Sequence, residues 1–188
     1  MFSNLYSLFQ RLIAVSSESI LVFKEQEFYF GISPADFEDQ YSLDQLEISP
    51  TGVSEAIWVY HQRARDREKE GIFLHLGALF GLSPIDFSHQ GMVFVKELKE
   101  GVRLGLFLDN LTFKLPIESL KKASDQVGEL NKLPPELPPR AVRQVLRYNR
   151  KNIILIDPVR LTEVYQLIAP ERIRNLLKLY HQSEGTSR

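Results

Sequence analysis

A chain of 188 residues, 44% apolar and 25% charged, is long enough to bury a core and has the composition of an ordinary globular protein of one domain or two small lobes. Its 23 basic and 24 acidic residues leave a net charge of −1, so no global field holds a polyanion and nucleic acid is not an expected partner. The absence of cysteine excludes disulfides, thiol catalysis and cysteine-ligated metal centres, and suits a reducing, cytoplasmic compartment.

In chain order, MFSNLYSLFQRLIAV lacks the positive start of a secretion signal. Leu5, Leu8, Phe9, Leu12 and Ile13 recur at helical spacing, which predicts an amphipathic helix over 1–18. No run approaches the roughly 20 apolar residues of a spanning helix, so direct membrane insertion is not expected. From Ser19, SILVFKEQEFYFGI reads as two strands, Ile20–Phe23 and Phe28–Ile32, about the polar turn KEQE. Pro34 ends the second, and Asp36 to Gly52 is mixed and turn-rich. EAIWVY and GIFLHL predict a further strand pair. Between them lies HQRARDREKEG, in which seven of eleven residues are charged with alternating sign, the pattern of a lengthened, solvated turn. GALFGLSP follows as a short helical turn and a breaker.

The second half has the same grammar. MVFVKELKEGVRLGLFLD reads strand, polar turn, strand, and LTFKLPIESLKKASDQVGEL a strand end followed by a helical stretch. LPPELPP is an extended connection. AVRQVLRY and NIILID form a hairpin about NRK, and PVRLTEVYQLI closes with a short helix. Tyr29–Ile32 overlays on Arg103–Leu106, and Ile72–Phe80 on Ile153–Leu161. That internal repeat predicts two small β-barrels packed together, over roughly 19–90 and 91–161. Over 162–188 a C-terminal helix and tail is expected, with Pro170 at its first position and Ile173, Leu176, Leu177 and Tyr180 along one face. Self-association through the terminal helices is a further expectation.

Catalytic and cofactor signatures do not occur. There is no HExxH, no GxSxG, no Walker loop and no GxGxxG, and the four histidines are not paired at metal-ligand spacing. The expectation is a protein that is not an enzyme and carries no cofactor. The competing reading is a small enzyme or ligand-binding module in the cleft between the lobes, with Asp109, Asp157 and His75 as its polar groups. It requires a pocket where at least two of them converge.

The order of elements resembles the CheW-like family, the coupling proteins of bacterial chemotaxis arrays, over about Ser19 to Leu161. VRLGLFLD carries the family's strand, glycine, strand and aspartate at Gly105 and Asp109. PIESL, Pro116 to Leu120, matches a short helix opening, and AVRQVLRYNRKNIILIDPVRL is similar to the closing hairpin and helix start, with Gln144 where a glycine is usual. ADFEDQ lies where the family carries V-x-E, here Phe37 and Asp39. EAIWVYH lies where it has G-x-x-N-x-R-G, which puts Tyr60 at the arginine associated with chemoreceptor contact. The resemblance implies two SH3-like, five-stranded β-barrel subdomains with helical extensions. It implies an adaptor in chemosensory two-component signalling that couples a CheA-type histidine kinase to the cytoplasmic tip of a chemoreceptor. Its implied partner contacts are Phe37, Asp39 and Tyr60. Arg63, Arg65 and Arg67 of the charged stretch are the candidates to replace the missing positive charge.

Overall fold

The computed structural model describes residues 19–63, 68–87, 91–98, 101–109, 111–119, 121–122 and 133–185. The expected N-terminal helix, Arg65 and Arg67 lie outside them, and for Arg63 only the backbone is described.

Among the described residues, twelve strands form two six-stranded sheets. One holds β1 (Ser19–Glu25), β2 (Phe28–Ile32), β9 (Leu111–Pro116), β10 (Lys121–Lys122), β11 (Val142–Tyr148) and β12 (Lys151–Ile156), in the order β10-β11-β12-β2-β1-β9. The other holds β3 (Asp39–Ser42), β4 (Glu47–Pro50), β5 (Ile57–Arg63), β6 (Glu68–His75), β7 (Met92–Glu97) and β8 (Arg103–Leu108), in the order β3-β7-β8-β6-β5-β4. Each sheet has one parallel junction, β12 with β2 and β6 with β8, and all its other pairings are antiparallel.

Reading the second sheet from its β4 end superposes the two orders strand for strand. The predicted repeat is therefore physical: β1–β2 corresponds to β7–β8, and β11–β12 to β5–β6. The predicted lobe boundaries are not. A division at residue 90 falls between β6 and β7 of one sheet, and the first lobe takes strands from both ends of the chain. Five strands per lobe were expected, and the sixth is a short polar piece at a sheet edge.

Apolar side chains alternate between two destinations. Ile20, Val22, Ile153 and Leu155 fill the curl of the first sheet, while Leu21, Phe23, Ile154 and Ile156 face the core shared by both sheets. Tyr60, Phe73, Val93, Val95 and Phe107 fill the second curl, and Val59, Ile72, Leu74, Phe94, Leu104, Leu106 and Leu108 face the shared core. A strand buried on both faces needs a continuous apolar run, which explains why these strands are so uniformly apolar. Gly31 and Gly105 occupy the same repeat position beside the parallel junctions. A Cβ there would lie 2.9 Å from Ile20 Cγ2 or 2.5 Å from Val93 Cγ1, so only glycine lets the neighbours close.

Among the described residues there are three α-helices, the first two directly after strand ends. α1 (Leu76–Leu79) follows β6, and its first turn is capped by His75, whose Nδ1 accepts the Ala78 N–H at 3.1 Å. α2 (Pro158–Val164) follows β12 and is capped by Asp157, with Pro158 at its first position. α3 (Pro170–Gly185) begins at Pro170, as predicted, and buries Ile173, Leu176 and Leu177. No helix among the described residues is long and apolar enough to cross a membrane.

Two predictions need correcting. The segment from Asp36 to Gly52 contains strands β3 and β4, which its mixed composition concealed. The charged stretch is mostly ladder rather than turn, with His61 opposite Glu70, Gln62 opposite Lys69 and Arg63 opposite Glu68.

Candidate protein-interaction site between the lobes

The chain passes from the first lobe to the second at Ser33–Glu38. Pro34 fixes a 3-10 turn over Pro34–Asp36, and Phe37 returns to extended backbone that leads into β3. Extended backbone sends alternate side chains to opposite sides. Asp36 reaches Arg143 of β11 at 2.9 Å, and Lys96 of β7 donates to the Asp36 carbonyl at 2.9 Å. Arg143 also lies 3.3 Å from Asp157, which in turn lies 3.6 Å from Arg160. Partial burial lowers the proton affinity of the Arg143 guanidinium, but the hydrogen bond and charge of Asp36 and the charge of Asp157 outweigh it. These groups and Glu163 surround a cavity of about 290 Å³. It carries both signs of charge, which suits a polar protein surface better than a small apolar ligand.

Phe37 is half-buried and meets Phe94 edge-on, with ring centroids 5.8 Å apart. Glu38 accepts the Glu97 N–H at 2.8 Å and lies 3.7 Å from Lys96. Asp39 receives hydrogen bonds from Arg103 and, at 3.0 Å, from Lys69. Burial pushes the Asp39 carboxyl up, but the Lys69 and Arg103 hydrogen bonds and charges more than reverse this and hold it below the usual carboxylate range.

Asp39, Lys69 and Arg103 each lie two residues from an inward-facing position on their strands, so all three sit over the mouth of the second lobe's curl. Beneath them are Tyr41 and Tyr60, whose ring centroids are 6.4 Å apart. Burial drives the Tyr60 hydroxyl well above its ordinary pKa. Gly71 makes the space, since a Cβ there would meet the Arg103 carbonyl at 2.6 Å and the Tyr60 hydroxyl at 2.8 Å.

The expected contacts thus separate. Phe37 packs on Phe94 next to the inter-lobe turn, and Asp39 lies over the mouth of the second curl. Tyr60 reaches neither surface, because its side chain is fully buried in the curl. At the position where the family resemblance implies an arginine associated with chemoreceptor contact, this chain has an inward-facing ring, and the basic groups at the mouth of that curl are Arg103 and Lys69, bonded to Asp39. Sequence reasoning passed over Asp36, Lys69, Arg103 and Arg143. A signal existed in Lys69-x-Gly71-x-Phe73 and Arg103-x-Gly105-x-Phe107, where a charge, a glycine and an aromatic share one strand face.

The groups of the competing reading also separate. His75 Nε2 lies 3.6 Å from Asp109 Oδ2 and 3.8 Å from Glu25 Oε1, in the seam between the lobes. Asp157 is elsewhere, its carboxylate accepting the Val159 and Arg160 N–H groups at 3.0 and 3.2 Å. Two of the three groups converge, but in the interior rather than in a cleft. Glu25 also accepts the Ser83 hydroxyl, and burial raises its carboxyl pKa above the ordinary value.

No protein-family model matches the sequence, and no curated protein matches it by sequence search. The fold is similar to that of solved structures. The crystal structure of the scaffolding protein TtCheW from Thermoanaerobacter tengcongensis is similar with a TM-score of 0.52 and 19% identity, over 77% of this chain and 86% of that one. Two packed β lobes, predicted from the internal repeat, are consistent with the two β subdomains of that scaffolding protein.

Proposed function

We propose that the protein is a non-catalytic, cytoplasmic adaptor of a bacterial chemosensory system. In this reading it couples a CheA-type histidine kinase to a chemoreceptor cytoplasmic tip or a related protein. The observation that carries this is the likeness in fold to a scaffolding CheW, joined to a charged inter-lobe face built by Asp36, Lys96, Arg143 and Asp157 with Phe37 beside it. The enzyme reading is weaker because His75 and Asp109 are sealed in the seam.

Receptor coupling in this chain rests on Asp39 with Arg103 and Lys69, and not on an arginine at position 60. Arg63, Arg65 and Arg67 remain the candidates to supply further positive charge to the partner contact. The test is titration calorimetry of the full chain against the regulatory domain of a CheA-type kinase and against a receptor-tip fragment from the same genome. Phe37→Ala and Arg143→Glu are each expected to weaken at least one of these complexes about ten-fold, a hot-spot loss of about 1.4 kcal/mol. The triple substitution of Arg63, Arg65 and Arg67 by Ala is expected to weaken it less, mainly through the association rate. No binding to either partner would sink the adaptor reading. Binding the kinase alone would restrict the role to the kinase side. Self-association through the terminal helices is checked by light scattering on a chain lacking residues 1–18.

A further inference from the structure

The repeat sets the mouths of the two curls in register, residue for residue. Val22 of β1 lies between Gly31 of β2 and Phe113 of β9, as Val95 of β7 lies between Gly105 of β8 and Asp39 of β3. Phe113 therefore stands at the position of Asp39. Tyr29, two residues before Gly31, stands at that of Arg103. Leu155 pairs with Gly31 and Phe73 with Gly105, so Lys151 and Lys69, each four residues earlier, are also equivalent. Lys24, opposite Tyr29, takes the place of Glu97, opposite Arg103.

In the second lobe both cations are bonded to Asp39, so that mouth satisfies itself. The first lobe has the cations without the acid. Tyr29, Phe113 and Tyr148 form a half-buried row on the first curl, with successive ring centroids 6.4 and 6.1 Å apart. Lys151 Nζ stands 4.5 Å from the Tyr29 ring centroid and Lys24 Nζ 5.9 Å from it. Among the described residues neither ammonium has a carboxylate partner. Hydrogen bonding and charge from Lys151, with the charge of Lys24, hold the Tyr29 hydroxyl below its ordinary pKa. Two cations are thus already held over an aromatic floor, which lowers the entropy that a partner must pay to engage them.

We propose that the mouth of the first lobe binds an acidic segment of a protein partner, with one Asp or Glu side chain entering beside Lys24 and Lys151 and an adjacent apolar side chain lying on Tyr29, Phe113 and Tyr148. The second mouth is the pattern for this occupant. There the carboxylate arrives on extended backbone, with Phe37 two residues before Asp39. In the first lobe Phe113 removes that internal acid, and an acid from another chain completes the mouth. The outer edge of β1 is taken by β9, so the segment crosses the mouth rather than adding a strand to the sheet. The site is separate from the inter-lobe face, and it stands whether or not the protein couples a kinase to a receptor.

The probe is a blocked synthetic peptide with the chain's own sequence ADFEDQYS, from Ala35 to Ser42, titrated into the full chain and followed by ring-proton NMR. Saturable shifts of the Tyr29, Phe113 and Tyr148 signals are expected, weakening as salt is raised. Lys24 and Lys151 are exposed, so Lys24→Gln and Lys151→Gln leave the fold intact, and each is expected to raise Kd about five-fold. Lys178→Gln, on the exposed side of α3, is the control and should leave Kd unchanged. Phe113→Asp supplies the missing acid from within and should abolish peptide binding. Equal binding of a peptide whose Asp and Glu are replaced by Asn and Gln overturns the proposal, as does an unchanged Kd in Lys151→Gln or binding retained by a folded Phe113→Asp. Should Phe113→Asp fail to fold, the two lysine variants decide. Shifts confined to Tyr41 and Tyr60 would place the peptide at the other mouth and overturn the site. Self-association by light scattering that disappears in Lys151→Gln would assign the mouth to a second copy of this chain and overturn the partner.

Discussion

Asp39 carries more of the local structure than its position at a strand start suggests. It holds Arg103 and Lys69 over the mouth of the second curl, and both tyrosines lie below. Its folded pKa is depressed, so its stabilisation is present above the unfolded value of about 3.9 and is lost as pH falls through the folded value. Asp39→Asn is therefore expected to lower stability by about 1 kcal/mol at pH 7, a modest figure for a solvent-screened group. The difference from the unaltered chain should shrink below about pH 4, as read by urea denaturation at both pH values. Gly71→Ala at the same mouth must displace either the Arg103 backbone or the Tyr60 ring, and should cost about 1–3 kcal/mol. At this scale a family pattern singled out Phe37 and Asp39 in the sequence as candidates. The sequence concealed Lys69, Arg103 and Arg143, because which face a strand charge takes depends on register, and register is settled by pairing partners far along the chain.

Among the elements, strands buried on both faces were legible, since ILVF, IFLHL and NIILI have no other reason to be so uniformly apolar. The hairpin at NRK was also legible. Asn149 and Arg150 take φ of 45° and 64°, the left-handed pair that a two-residue turn between Tyr148 and Lys151 requires. β3 and β4 escaped because DQYS and EISP are short, polar edge strands, held by their neighbours rather than by their own pattern. Helix ends follow local rules well enough to test. Asp157→Ala removes the cap of α2 and two arginine contacts, and should cost about 1–2 kcal/mol. On α3, Ile173→Ala should cost about 2–4 kcal/mol because the side chain is buried, whereas Leu179→Ala, 61% exposed, should change stability by less than about 0.5 kcal/mol. Chemical denaturation of the two variants together separates a docked helix from a loosely attached one.

For the whole molecule, the repeat was visible and its topology was not. Matching halves suggest two lobes in series, whereas the second lobe is inserted into the first. Segments 19–32 and 111–156 carry ten basic and six acidic residues, while 33–110 carries seven and thirteen, so the lobes have opposite net charge although the chain is nearly neutral. The rate at which a partner associates with the second lobe should therefore depend on salt, measured by stopped flow. The insertion also predicts the outcome of cutting the chain at residue 90. Fragments 1–90 and 91–188 should each lack ordered β structure by circular dichroism and regain it on mixing, since the cut leaves β6 without β8 and β2 without β12.

The same insertion fixes an order of events on the ribosome. The strands of the second lobe are complete once Leu108 has emerged, and their pairings lie within a span of about seventy residues. β1 and β2 emerge first of all the strands, but their outer neighbours β9 and β12 lie at least eighty residues further on. The earliest hairpin to be made must therefore wait with two apolar faces exposed while its neighbour lobe assembles, and it is enclosed only when the last strand arrives. In a cell, that interval is when this chain most needs protection from aggregation.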